Sequence, residues 1–463
     1  MSASASTDDA AKSPQDLVGI ITSRGYHALL LVAALLGLPV AVCAFFFLAA
    51  LTWLENYLWE TVPRQLGWED PQLWYTVLVL VVAGLVVGLV IVYLPGRGGH
   101  LPVKGFGGDS TVPVQLPGVI LAAVGGLALG VVLGPESPLI ALGGGLMLLA
   151  LDRTKLRNSP QALTLLAAAG SAAAVATVFG NPLVAVVLML EVVGLAGAQV
   201  LLVLLPCAAS AGLAALMFTG LGSWTGINVP TLTIPGLPLA NIDFADLLWT
   251  VPIAILCAVG ASLVRRVGIQ ATKFTRNQTV LRTAVAGLLV SLCAVAYVLI
   301  TDRSPLDVLQ SGESALPRLV SSPESWPVVA IVCLLVFKGL AYGISLGSFR
   351  GGPTFPAIFL GAAIGILVGP LPGLGTTAGI AIGMAAATTA TLRLPVTSIV
   401  LVVLLLGNEG TSQIPVVMLA SVIGLVTAIA LDGRSREALA EIDAESTGSS
   451  ATATPGGPAA ATA

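Results

Sequence analysis

Charge is scarce in this 463-residue chain: only 9% of its residues are Asp, Glu, Lys or Arg, against roughly 25% in an ordinary soluble domain. With 56% of the residues hydrophobic, a soluble fold would lack the polar surface to cover such a core. Histidine is scarcer still, with two in all. No nucleophile elbow, His-Glu-x-x-His or phosphate loop is read in the chain, so the common hydrolase and nucleotide-binding classes are not expected. The five cysteines, Cys43, Cys207, Cys257, Cys293 and Cys333, sit in apolar runs without paired spacing. They read as packing residues rather than metal ligands or disulfides, and no cofactor is implied. A net charge of −3 and the absence of a basic, aromatic-interleaved patch exclude a nucleic-acid partner. Met1 to Gln15 lack the basic start and short apolar core of a cleavable signal peptide. The first apolar run is therefore expected to act as an uncleaved signal.

What is abundant is apolar length. Runs such as 28–54, 74–94 and 245–264 reach the span of about 20 residues that a helix needs to cross hydrocarbon. The 52 glycines suit close helix contact in lipid. An all-α polytopic membrane protein follows, with the bilayer as its solvent. Basic clusters at Arg153, Lys155 and Arg157, at Arg265, Arg266, Lys273, Arg276 and Arg282, and at Arg434 and Arg436 mark cytoplasmic ends by the positive-inside rule. Segments 55–71 and 220–243, poor in Lys and Arg and rich in Trp, Pro and Gly, then fall outside. With both termini cytoplasmic, each half makes an odd number of crossings, so the halves are oppositely oriented. The expected division is 1–24 disordered, 25–225 first half, 226–436 second half and 437–463 disordered, in the cell membrane.

Internal repetition supports that division. GPESPLIALG (134–143) and GPTFPAIFLG (352–361) agree at six of ten positions, 218 residues apart. GNPLVAVVLMLEV (180–192) resembles RLPVTSIVLVVLL (393–405) at an offset of 213. Inverted repeats with helices interrupted by Gly and Pro place a substrate site near the bilayer midplane, between the halves.

The interruptions carry the chemistry. In Gly134-Pro135-Glu136-Ser137-Pro138 one helix is stopped and Pro138 suits the first turn of the next, which frees backbone N–H groups at membrane depth. A helix start of this kind attracts an anion through its dipole and open amides. Gly352-Pro353-Thr354-Phe355-Pro356 repeats the device from the other half. Two such starts replace an anion's water without a full positive charge, which would bind too tightly to conduct. Glu136 is the acid in the first break, and a carboxylate at that depth is a functional candidate by default. It can itself occupy the anion site and leave when protonated or displaced, acting as a gate. The bland alternative is an acid that only complements the helix dipole. Gly98-Gly99-His100-Leu101-Pro102 is a third break. His100 could titrate near neutral pH there or simply meet lipid headgroups. Glu191, near the end of its apolar run, reads either as a step in a proton path or as an interfacial acid.

The residues resemble the CLC chloride channels and proton-coupled chloride transporters over roughly 28–432. The family signatures G-S-G-I-P, G-K/R-E-G-P and G-x-F-x-P are similar to Gly98–Pro102, Gly134–Pro138 and Gly352–Pro356, and residues 170–191 resemble the helix pair ahead of the family's intracellular acid. The resemblance implies a homodimer with one anion path per subunit and Glu136 as the gating glutamate. Gly99, His100, Gly134, Ser137, Thr354 and Phe355 are expected to bind the anion. The departures are informative. The family's coordinating serine falls on Gly99, no tyrosine follows Tyr342 to supply its central tyrosine, Pro353 lacks an amide, and its intracellular glutamate falls on Val192. These tilt the expectation toward passive transport of chloride-like anions. A proton-coupled chloride antiporter using Glu191, and a non-conducting scaffold or receptor on the same fold, are the alternatives.

Overall fold

The computed structural model describes residues 14–106, 111–152, 158–194, 199–227 and 242–433, with Val229, Ile234, Leu237, Pro238, Ser435 and 437–439. The basic positions Arg153, Lys155, Arg157, Arg434 and Arg436 lie outside the described residues, as do 1–13 and 440–463. Among the described residues the regular structure is helical, with no strand. Helix α1 is Pro14–Ile21, α2 Arg24–Asn56, α3 Val62–Gln65, α4 Leu73–Tyr93 and α5 Leu116–Leu127. Helices α6 to α9 are Glu136–Leu151, Pro160–Val178, Pro182–Val193 and Gln199–Thr225. Then come α10 (Phe244–Thr275), α11 (Thr279–Thr301), α12 (Leu316–Ser321) and α13 (Val328–Ser348). The chain closes with α14 (Thr354–Val368), α15 (Thr376–Leu392), α16 (Pro395–Leu405) and α17 (Gly410–Leu431).

Eight of these helical stretches, including the continuous Arg24–Gln65, are long and apolar enough to cross a membrane, and six shorter apolar ones are not. The short ones flank the Gly/Pro interruptions, where a helix cannot continue. One expectation needs correction. Residues 1–24 are expected to be disordered, but Pro14–Ile21 is helical, and Ser23 caps α2 by accepting from the Tyr26 N–H at 3.2 Å. A proline at the first helical position and the apolar Val18, Ile20 and Ile21 favour this ordering. Glu437–Leu439, placed in the disordered tail, are likewise helical.

The repeat seen in the sequence reappears as a packing device. In the first half α6 crosses α7 at Gly143 and Gly170, and a methyl on either would run into the other's carbonyl. In the second half α14 crosses α15 at Gly361 and Gly383 in the same way, with Gly365 and Gly379 one turn on. Gly361 lies 218 residues after Gly143, and Gly383 lies 213 after Gly170. Backbones this close gain dispersion and Cα–H···O contacts that lipid cannot supply. Gly383→Val is therefore expected to cost about 3 kcal/mol or more by overpacking, visible as a lowered thermal unfolding midpoint in detergent. An unchanged midpoint would show that the crossing tolerates side chains.

Candidate functional site

Helix α5 ends at Leu127 and α6 begins at Glu136, and the eight residues between them form the first break. Its path is fixed from three sides. The Trp59 indole N–H donates to the Ala128 carbonyl at 3.0 Å, the Gln310 N–H donates to the Gly130 carbonyl at 3.0 Å, and the Val131 N–H reaches Gly126. Gly130 has φ +96°, and a Cβ there would lie 2.6 Å from the Trp59 ring, so only glycine fits. Trp59 reaches this point from a π-helical turn, Tyr57–Thr61, that continues α2.

The two breaks meet directly. Gly134 and Gly352 form an antiparallel bridge, with N–H···O distances of 2.8 and 2.5 Å. These are the glycines that open the repeated segments. Beside the bridge, the fully buried Glu136 turns its carboxylate onto the start of α14, where Oε1 accepts from the Phe355 N–H at 3.0 Å. The Thr354 backbone and hydroxyl lie beside the carboxylate, and the hydroxyl makes no hydrogen bond. Oε2 has no hydrogen-bond partner and packs against Gly352. The carboxylate thus occupies the place that an anion would take at a helix N-terminus. Proline at 353 removes one amide, yet the Phe355 N–H two residues on supplies the contact.

Two cavities adjoin this segment. One, of about 330 Å³, is lined by His100, Thr111, Ser137, Gly144, Thr164 and Ser171, among others. The Ser137 hydroxyl there is buried without a partner. The other, of about 720 Å³, is lined by Glu55, Asn56, Pro135, Gln310, Glu313 and Arg318 among others. Burial holds the Glu313 carboxyl well above the usual carboxylate range, and the charges of Glu55 and Glu136 push the same way. Pro135 lines one cavity, Ser137 lines the other, and Glu136 is the residue between them.

Of the sequence candidates, Glu136, Gly134, Thr354 and Phe355 are brought into one cluster, and Ser137 and His100 share the smaller cavity. Gly99 adjoins His100 with φ +96°, and a Cβ there would press on Val119 at 3.1 Å. A serine at that position would be strained, which accounts for the glycine. Glu191 sits elsewhere. Its two oxygens accept from the N–H groups of Val396 at 2.9 Å and Thr397 at 2.6 Å, and from the Thr397 hydroxyl at 2.5 Å. It thereby caps the N-terminus of α16 from the repeat-related helix α8. One motif expected to be absent is present: Gly343-Ile344-Ser345-Leu346-Gly347 fits Gly-x-Ser-x-Gly. It lies inside α13, where the buried Ser345 hydroxyl donates to the Ala341 carbonyl at 2.8 Å. A nucleophile elbow needs a strand-to-helix turn, so the pattern carries no catalytic role.

Two residues near the site escaped the sequence reading. The buried Tyr342 donates its hydroxyl to the Pro353 carbonyl at 2.6 Å. Lys338, with none of its surface exposed, reaches the carbonyls of Asp307, Val308 and Leu309 at 3.0 to 3.1 Å. Lys338 could have been found by the reasoning applied to Glu136, as a lone charge within an apolar run.

Comparison with known proteins fixes the family. The family model described as voltage gated chloride channel matches residues 103–428, well over half of the chain. The chain belongs to this family. Its class of function is accordingly anion transport, and it is a multi-pass membrane protein. It is 28% identical over 321 residues to YfeO of Shigella boydii serotype 4, a protein carrying a provisional ion-transport name, covering 68% of this chain and 72% of that one. YfeO of Escherichia coli O139:H28 matches at the same identity and coverage. Among solved structures the chain resembles a slow cyanobacterial Cl−/H+ antiporter (TM-score 0.69, 18% identity, 88% of this chain and 95% of that one). It also resembles a eukaryotic CLC transporter (TM-score 0.67, 17% identity, 89% and 73%). A CLC-type fluoride/proton antiporter aligns with TM-score 0.62 and 16% identity, over 86% and 95%. These likenesses support the all-α fold of two inverted halves with broken helices.

Proposed function

We propose that the protein moves chloride-like anions between the two cavities, passively, with the Glu136 side chain as the gate. One observation carries the reading: Glu136 is buried between a residue lining each cavity, and its carboxylate accepts from the Phe355 N–H. An anion arriving at that N–H must displace the carboxylate, or find it protonated and gone. Gly134, Ser137, Thr354 and Phe355 would then face the anion, with Gly99 and His100 at the opening of the smaller cavity. In this reading the larger cavity is extracellular, both termini are cytoplasmic, and the protein is a homodimer in the cell membrane with one path per subunit.

The test is anion efflux from liposomes holding the purified protein. Glutamine is a neutral mimic of the protonated acid, so Glu136→Gln is expected to keep or raise chloride flux while removing most of its dependence on pH. No efflux of chloride, nitrate or fluoride from the wild type would overturn the proposal.

A second reading, proton-coupled antiport, is favoured by the names of two of the similar structures. It would need a carboxyl besides Glu136 to carry protons from the smaller cavity. Glu191 was the sequence candidate, and its engagement with the start of α16 supports a capping role instead. Proton movement driven uphill by a chloride gradient, and lost in Glu191→Gln, would establish the coupled reading.

A further inference from the structure

We propose that Tyr342 is a positioning residue of the anion site, acting through the single peptide unit that joins Pro353 to Thr354. The inference rests on the reading of Glu136 and the α14 start given above, and adds a residue to it.

Tyr342 lies in α13, outside each of the three signature segments, and is 1% exposed. Its hydroxyl donates to the Pro353 carbonyl at 2.6 Å. That carbonyl and the Thr354 N–H belong to one planar peptide group. The N–H of that plane sits at the same helix start as the Phe355 N–H that bonds the Glu136 carboxylate. Holding the carbonyl therefore holds the direction in which the N–H points. A proline at 353 has φ −88° and leaves ψ, at −6°, as the soft angle that would tip this plane. The phenol restrains that angle from the far side.

The bond also has an electronic effect. Donation to a peptide carbonyl polarises the unit and strengthens its N–H as a donor, since hydrogen bonds in a chain reinforce one another in a low-dielectric interior. The chain here runs from the Tyr342 O–H through the Pro353–Thr354 peptide to whatever anion sits at the helix start. This chain has glycine at 99, where the resemblance would place a hydroxyl, and proline at 353, where it would place an amide. Tyr342 compensates without touching the anion, by strengthening and aiming an amide that does.

The experiment compares wild type, Tyr342→Phe and a protein with 2,3-difluorotyrosine at 342, each also in the Glu136→Gln background, by chloride titration calorimetry and liposome efflux. Removal of the hydroxyl is expected to raise the chloride concentration for half-saturation about fivefold, with less than about a twofold change in maximal rate. The fluorinated ring is a stronger donor and is expected to lower that concentration. Both shifts are expected to persist with Glu136→Gln, because the amide faces the anion with or without the carboxylate. A structural role alone would instead lower the thermal midpoint and the maximal rate together, and that result, or half-saturation unchanged in both variants, would overturn the proposal. Should Tyr342→Phe fail to fold, the fluorinated protein decides it alone. A wild type that neither binds nor moves chloride would remove the underlying reading of the site as well, and is thereby distinguishable.

Discussion

Alanine at Gly352 is expected to reduce chloride flux to the level of protein-free liposomes. A Cβ on that residue would coincide with Oε2 of Glu136, and the same carboxylate crowds the position from its Cδ, 2.5 Å away. No rotamer change of a methyl can relieve this; a carboxylate that merely left its amide would open the gate, so the loss of flux comes from opening of the Gly134–Gly352 bridge that holds the two breaks together. A double variant tests this. If the overlap with the carboxylate is the whole defect, Glu136→Ala in the Gly352→Ala background restores flux by more than about tenfold over Gly352→Ala alone. The rescue is expected to be partial, because the Cβ of residue 136 stays within 3.0 Å of the added methyl. Failure of Gly352→Ala to reduce flux would mean that the carboxylate is not held where the two breaks meet.

That pairing shows how far the sequence could be read. The offset of 218 between the repeated segments links two glycines that bond to each other across the fold. It also links Gly143 and Gly361, each at the crossing of a repeat-related helix pair. Repetition was legible because the constraint falls on Gly and Pro, residue types that lipid-facing positions do not demand. The role of Phe355 was legible only in part. An amide near 354–355 follows from a helix start after Pro353, but which of the open N–H groups meets Glu136 depends on how the halves dock. Glu191 shows the opposite limit. Its position at the end of an apolar run suggested a route for protons, and only the packing of α8 against α16 supplies the helix start that its carboxylate caps. Tyr342 gave no signal, since a tyrosine in an apolar helix is ordinary and its partner lies 11 residues on, beyond a turn.

Lys338→Met is expected to destabilise the protein by about 3 kcal/mol, because it removes the donor from a set of buried carbonyls without replacing it. The ammonium lies within 3.0 to 3.3 Å of the carbonyls of Asp307, Val308, Leu309 and Gln310 and 4.6 Å from the centre of the Phe359 ring. Three N–H groups serve four acceptors, so the charge is shared among the ends of one turn rather than spent on a single partner. Methionine keeps the length of the side chain and its contact with the ring, which confines the loss to the polar contacts. Arginine is not a substitute, since its planar fork does not fit a ring of carbonyls gathered around a point charge. The effect is expected to reach the site, because the held turn leads through Gln310, whose N–H bonds the Gly130 carbonyl in the first break, to Ser311 and Glu313 at the larger cavity. Unfolding by heat in detergent gives the stability change, and liposome efflux gives the second. A midpoint that does not move would show that water from the larger cavity satisfies the carbonyls once the lysine is gone. Lowered stability with normal flux would instead confine Lys338 to the scaffold and leave the first break to be held by Trp59 and Gly352.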